Sequence, residues 1–121
     1  MELVVMPEEL SVFQVADLAM LDLSVRPLFL GVTDEENSVV APTDSVPAET
    51  IQRADDWRGF KIAGVLDFAL VGILAKITGI LAEKEISVFA LSTYNTDYVL
   101  VKAASFKAAM DTLSAAGYEV K

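Results

Sequence analysis

Apolar residues recur at helical spacing between Ile73 and Leu81, where Ile73, Leu74, Ile77, Ile80 and Leu81 fall at i, i+1, i+4, i+7 and i+8. Lys76, Thr78, Glu83 and Lys84 lie off that stripe. A helix so patterned must bury its stripe against a second layer, and the β-rich segments 60–66 and 86–91 on either side supply a sheet. The local unit is β-α-β, with residues 71–84 as the helix.

The same pattern continues downstream. Residues 86–91 and 97–103 alternate as a hairpin, and residues 105–116 carry a second inward stripe of Phe106, Ala109, Met110 and Leu113. Ser105 reads as its N-cap and Gly117 as the residue that stops it, before a last strand at 118–120. The order βαββαβ is the split β-α-β of a ferredoxin-like fold, α+β in class. Both faces of the hairpin are apolar, and helices cover only one. The other should meet the first half of the chain or a second copy, so a homodimer is expected.

The first half is shorter in its elements. Leu3-Val4-Val5-Met6 is a brief strand stopped by Pro7, residues 10–15 form a strand apolar on both faces, and residues 16–23 fit two helical turns. Strands at 28–32 and 38–41 are joined by Asp34-Glu35-Glu36-Asn37, a polar hairpin loop. Residues 43–58 are polar and read as a connector, with Trp57 folding back onto one half. The chain divides into an abbreviated unit, 1–59, and a full one, 60–121.

Composition narrows the function classes. A chain of 121 residues removes roughly two thirds of its surface from water on folding, and 54% hydrophobic residues rule out a disordered chain. Residues 62–81 are apolar enough to raise the question of a membrane span. Asp67 and Lys76 inside that stretch would each cost roughly 2.5–3.5 kcal/mol near mid-membrane, so a buried strand and helix is expected. No basic region followed by an apolar one opens the chain, and the cytoplasm is the expected location. A net charge of −9, with no cluster of Lys or Arg, argues against a nucleic-acid partner.

Histidine and cysteine are both absent, which removes the commonest general base and the commonest metal ligands. No catalytic residue, metal ligand or cofactor is expected. The carboxylates and Tyr94 are not spaced as an acid–base pair.

The run from Val71 to Val88, with Asp67 ahead of it, resembles the signature of the ACT domain family: a glycine at the helix start, an Ile-x-x-x-Leu-Ala stripe, and an Ile-Ser-Val strand. Val71 stands where a proline often precedes the glycine, and Glu85 where a glycine often precedes the second strand. The hairpin from Ile86 to Val101, with Ser92-Thr93-Tyr94-Asn95-Thr96-Asp97 at its turn, is similar to that of small bacterial tandem-ACT proteins. These are related to animal arginine-sensing proteins and to aspartate kinase regulatory domains. The resemblance is strong over residues 60–121 and one of layout over 3–58. It implies a regulatory protein that binds a free amino acid between full ACT units of a homodimer, and a regulated enzyme or other protein as a further partner.

An amino-acid site needs N–H donors for a carboxylate and an acceptor for an ammonium. The first N–H groups of the helix after Leu70, Val71 and Gly72, including that of Ile73, lack intrahelical partners and sit at the positive end of the helix dipole. Gly72 lets a ligand approach that backbone. Thr93 and Asp97 offer a hydroxyl and a carboxylate from the hairpin, with Tyr94 beside them. Structural roles stand next to these: Gly72 for close helix packing, Asp97 for local turn bonds, and Asp67 as a helix cap.

Overall fold

The stripe from Ile73 becomes helix α1 (Ile73–Glu83), with Ile77 and Leu81 fully buried at its centre. In the computed structural model residues 1–64 and 72–121 are described; Asp67, Leu70 and Val71 lie outside them. The second helix, α2, spans Ala103–Ala115 and buries Ala109, Met110 and Leu113, as its apolar spacing requires. In chain order the strands among the described residues are β1 (Glu2–Val5), β2 (Leu10–Gln14), β3 (Phe29–Val32), β4 (Asn37–Pro42), β5 (Gln52–Ile62), β6 (Phe89–Ser92), β7 (Asp97–Lys102) and β8 (Glu119–Val120). No described helix is long and apolar enough to cross a membrane.

The backbone gathers into two units, Met1–Pro7 with Arg58–Lys121, and Glu8–Trp57. The first holds both helices and strands in the order β6-β7-β5-β1-β8. Strands β6 and β7 pair antiparallel, with Phe89 opposite Leu100 and Leu91 opposite Tyr98. This is the ferredoxin-like α+β arrangement, with β1 lying between β5 and β8. It runs antiparallel to β5, with Leu3 opposite Ile62, and parallel to β8, with Leu3 opposite Val120. Leu3, Phe60, Ile62, Val99 and Val101 of the sheet pack with Ile77, Leu81 and Leu113 of the helices as one core.

Glu8–Trp57 is built of antiparallel strands β3-β4-β2 and the first part of β5. Phe13, Val15, Val39 and Ala41 form its core, with Leu18, Leu21, Val25, Leu28 and Val46 packed on them. Residues 16–23, read as two helical turns, make a single 3-10 turn at Leu18–Met20, where the Asp17 carboxylate accepts the Ala19 N–H at 2.9 Å. Asp17 commits its side chain to a local turn, which competes with a continuing α-helix.

Three other elements differ from the sequence reading. The polar connector 43–58 is strand from Gln52 onward, because backbone pairing with β2 is indifferent to polar side chains. Leu10 faces Trp57 while Val12 faces Ala54, so β5 carries a bulge, and Asp56 takes φ 67° there. Helix α2 starts at Ala103, two residues before Ser105, because β7 runs directly into it with Lys102 at the N-cap and no side-chain cap bond. Strand β6 starts at Phe89 and not at Ile86, because the Ile86 N–H is used to close α1 on the Leu81 carbonyl at 3.0 Å.

Candidate functional site at the start of helix α1

The site is built on one end of the helical unit. The β1–β5 pairing ends with the Ala63 N–H donating to the Glu2 carbonyl at 3.0 Å, and the Glu119 N–H donates to the Met1 carbonyl at 3.0 Å. The buried Thr96 hydroxyl donates to the Ile62 carbonyl at 2.8 Å. These bonds bring the tip of the β6–β7 hairpin, the start of β8 and the end of β5 together.

Gly72 is the N-cap of α1, with φ 77° and ψ 2°, a left-handed conformation that glycine adopts without steric cost. The capping position has no side-chain hydrogen bond, and the first turn holds no acidic residue. The first intrahelical bond runs from the Lys76 N–H to the Gly72 carbonyl at 2.9 Å. The N–H groups of Ile73, Leu74 and Ala75 therefore have no acceptor within the helix, and they carry its positive dipole end. Among the described residues no atom lies within 4 Å of where a Gly72 Cβ would stand. What glycine gives this position among the described residues is its left-handed backbone.

A cleft of about 300 Å³ opens beside this first turn, lined by Met1, Ile73, Lys76, Ala116, Gly117 and Tyr118. Ile73 contributes an apolar wall and Lys76 an exposed ammonium. Lys76 lies off the buried stripe, which hides it from a reading of the apolar pattern. Its spacing of i+3 from Ile73 is the signal that would have placed it on the same side of the first turn.

The hairpin residues spend part of their bonding on the turn itself. Thr93 Oγ1 donates to the Thr96 carbonyl at 3.1 Å, and the Thr93 N–H reaches the same carbonyl at 2.9 Å. One Asp97 carboxylate oxygen accepts the Ser92 hydroxyl at 2.6 Å. Tyr94 is 79% exposed at the tip. Thr96, which the sequence did not single out, is the residue that ties the tip to β5. Its alternation opposite the exposed Asn95 is the only hint of burial that the sequence carries. Leu70 and Val71 lie outside the described residues, so of the expected site the structure describes Gly72, Ile73, Thr93, Tyr94 and Asp97.

Among the described residues no three acidic side chains come together as a metal-holding group.

The ACT domain family model matches residues 52–115, more than half of the chain. No curated protein matches it in sequence. Among solved structures, protein Atu0741 from Agrobacterium tumefaciens superposes with a TM-score of 0.87 at 24% identity, over 99% of this chain and 91% of that one. Protein VC0802 from Vibrio cholerae gives 0.72 at 18% identity, over 93% and 87%. The ligand-free regulatory subunit of aspartate kinase from Thermus thermophilus gives 0.64 at 13% identity, over 97% of each chain. At these identities the solved structures speak for the fold alone. The family model, matched through β5, α1, the β6–β7 hairpin and α2, speaks for descent: the chain belongs to the ACT domain family.

Proposed function

We propose that this chain is a non-catalytic amino-acid sensor that acts as a homodimer in the cytoplasm, its ligand held between full ACT units of the two protomers. The backbone N–H groups after Leu70, Val71, Gly72 and Ile73 receive the ligand carboxylate. Thr93, Tyr94 and Asp97 face its ammonium or side chain, and binding alters the activity of a regulated enzyme or other partner. No cofactor or metal takes part.

One observation carries this reading. The Thr96–Ile62 bond holds the hairpin tip at the end of β5, and Met1, whose carbonyl accepts the Glu119 N–H, lines a cleft with Ile73 of the glycine-started helix, which supports a site where helix N–H donors and hairpin acceptors share one end of the unit. Uncapped N–H groups favour an anion, and a carboxylate nearby favours a cation. A free amino acid carries both a few ångströms apart.

The test is a thermal-shift screen against the twenty amino acids and common nucleotides at millimolar concentration. A ligand at a hundred times its dissociation constant adds about 2.7 kcal/mol, enough to move the midpoint by several degrees. A selective shift with one amino acid, lost in Asp97→Ala and Gly72→Trp, is the expected result. A shift that survives both substitutions would overturn the site.

A second reading has its own observation. Thr93 and Asp97 already bond within the hairpin, to Thr96 and Ser92, as turn-forming residues do. On that basis the chain is a dimerisation or docking module without a small-molecule ligand. No shift with any compound favours it.

A further inference from the structure

The net charge of the chain is confined to one unit. Glu8–Trp57 carries eleven acidic and two basic residues, while the unit with the helices carries seven of each. The entire net charge of −9 therefore belongs to fifty residues. Its two bases are both engaged: Arg53 pairs with Asp55 at 2.9 Å, and Arg26 donates to the Leu23 and Val25 carbonyls of its own loop at 2.8 Å.

Strand β3 ends the strand order of this unit, paired with β4 alone among the described residues. The hairpin closes with the Thr33 N–H on the Glu36 carbonyl at 2.9 Å. In an antiparallel ladder bonded and non-bonded pairs alternate from that point. The pairs Gly31–Ser38 and Phe29–Val40 exchange bonds, while Val32–Asn37 and Leu30–Val39 do not. The N–H and C=O groups of Leu30 and Val32 thus point away from β4, along the edge. The same two residues expose their side chains, Leu30 by 45% and Val32 by 54%. Asp34, Glu35 and Glu36 follow in the turn, all exposed.

Edges of this kind are usually blunted by lysine, proline or a bulge, and β3 has none of these within Phe29–Val32. A second copy is a poor occupant, because edge-to-edge pairing would set two units of charge −9 against each other, with their acidic turns alongside. We propose that β3 accepts a strand from a different protein: an extended segment alternating Lys or Arg with β-branched apolar residues. Its backbone pairs with Leu30 and Val32, its apolar side chains cover theirs, and its cations meet Asp34, Glu35 and Glu36.

The experiment uses the full chain and a fluorescein-labelled peptide of alternating lysine and valine, read by anisotropy, with a glutamate–valine peptide as control. The lysine peptide should bind at least about tenfold more tightly than the glutamate one, and more weakly as salt rises. Val32→Pro removes an outward-facing donor and leaves every charge and every β4 bond in place, so it should weaken binding by about tenfold or more. Asp34→Lys with Glu35→Lys should do the same by the other route. In the wild-type protein, added peptide should slow hydrogen exchange at the Leu30 and Val32 amides, a reading that needs no variant. Undiminished binding by Val32→Pro, unchanged exchange at those amides, or self-association through this edge would each overturn the proposal.

Discussion

Glu85 and Gly117 hold the same position at the ends of the two helices, one residue past the C-cap, and both are left-handed, with φ 59° and 103°. At each end the residue itself donates back to the helix, Glu85 to Ala82 at 2.9 Å and Gly117 to Ser114 at 3.1 Å. The following residue closes the motif, Ile86 on Leu81 at 3.0 Å and Tyr118 on Leu113 at 3.1 Å. Both closing residues pack into the core with the residue they bond. The motif is the same, but glycine enters this conformation freely and glutamate enters it at a steric cost.

Glu85→Gly should therefore stabilise the protein, by about 0.5–1 kcal/mol once the greater freedom of an unfolded glycine is offset. Gly117→Ala should destabilise it by about 1 kcal/mol or more. Urea midpoints of the two variants check both signs. A loss of stability in Glu85→Gly would show that the glutamate side chain contributes more than its backbone costs.

Thr96→Val keeps the side-chain shape and removes the buried hydroxyl that donates to the Ile62 carbonyl. A cost of about 0.5–1.5 kcal/mol follows, the net worth of one such bond. Hydrogen exchange at the Thr93 amide should quicken, since its acceptor belongs to the loosened turn. An unchanged melting temperature would mean that water takes over the bond.

Gly59→Ala probes a tighter constraint. A Cβ there would stand 3.2 Å from Met6 Sδ, 3.3 Å from Leu100 Cδ1 and 3.3 Å from the Val99 carbonyl oxygen. The thioether end can swing aside, but the carbonyl belongs to the ladder of β7 and cannot. Destabilisation of about 1–3 kcal/mol is expected, measured by thermal and urea unfolding.

Two surface groups should mark opposite ends of the pH scale. The Asp22 carboxyl is held below its ordinary 3.8 by the Ser24 hydroxyl, at 2.6 Å, and then by the Ser24 N–H. Its contribution to stability is present above 3.8 and is lost as pH falls through the depressed folded value. The Lys121 ammonium is raised above 10.5, first by its hydrogen bond to Glu2 and then by the charges of Glu2 and Glu119. Its contribution is present below 10.5 and is lost as pH rises through the raised value. NMR titration should show the Asp22 midpoint moving up in Ser24→Ala and the Lys121 midpoint moving down in Glu2→Gln.

Both helices and both hairpins could be read in the chain because each is local. The Ile73–Leu81 stripe and the alternation at 97–102 repeat within a few residues, and burial follows the repeat. What could not be read depends on distant partners. Gln52–Trp57 looks like a loop until β2 is there to pair with it, and a short apolar run such as Leu3–Val5 in β1 carries no record of its neighbours. At the site, Gly72 was legible from the helix it opens. The bonds of Thr93 and Asp97 within their own turn, and the reach of Thr96 to Ile62, were not, since threonine and aspartate look alike whether they face a ligand or a backbone.

The place of β1 bears on how the protein is made. Strands β1 and β5 are neighbours, with the Met6 N–H on the Gly59 carbonyl at 2.9 Å, although more than fifty residues separate them in the chain. On the ribosome, Leu3 must wait for Ile62 on one side and for Val120 on the other. Strands β2, β3 and β4 and the first part of β5, by contrast, come out in succession and can pair as they appear. The acidic unit is thus available to pair as it is made, whereas β1 closes its sheet only through contacts that span most of the chain.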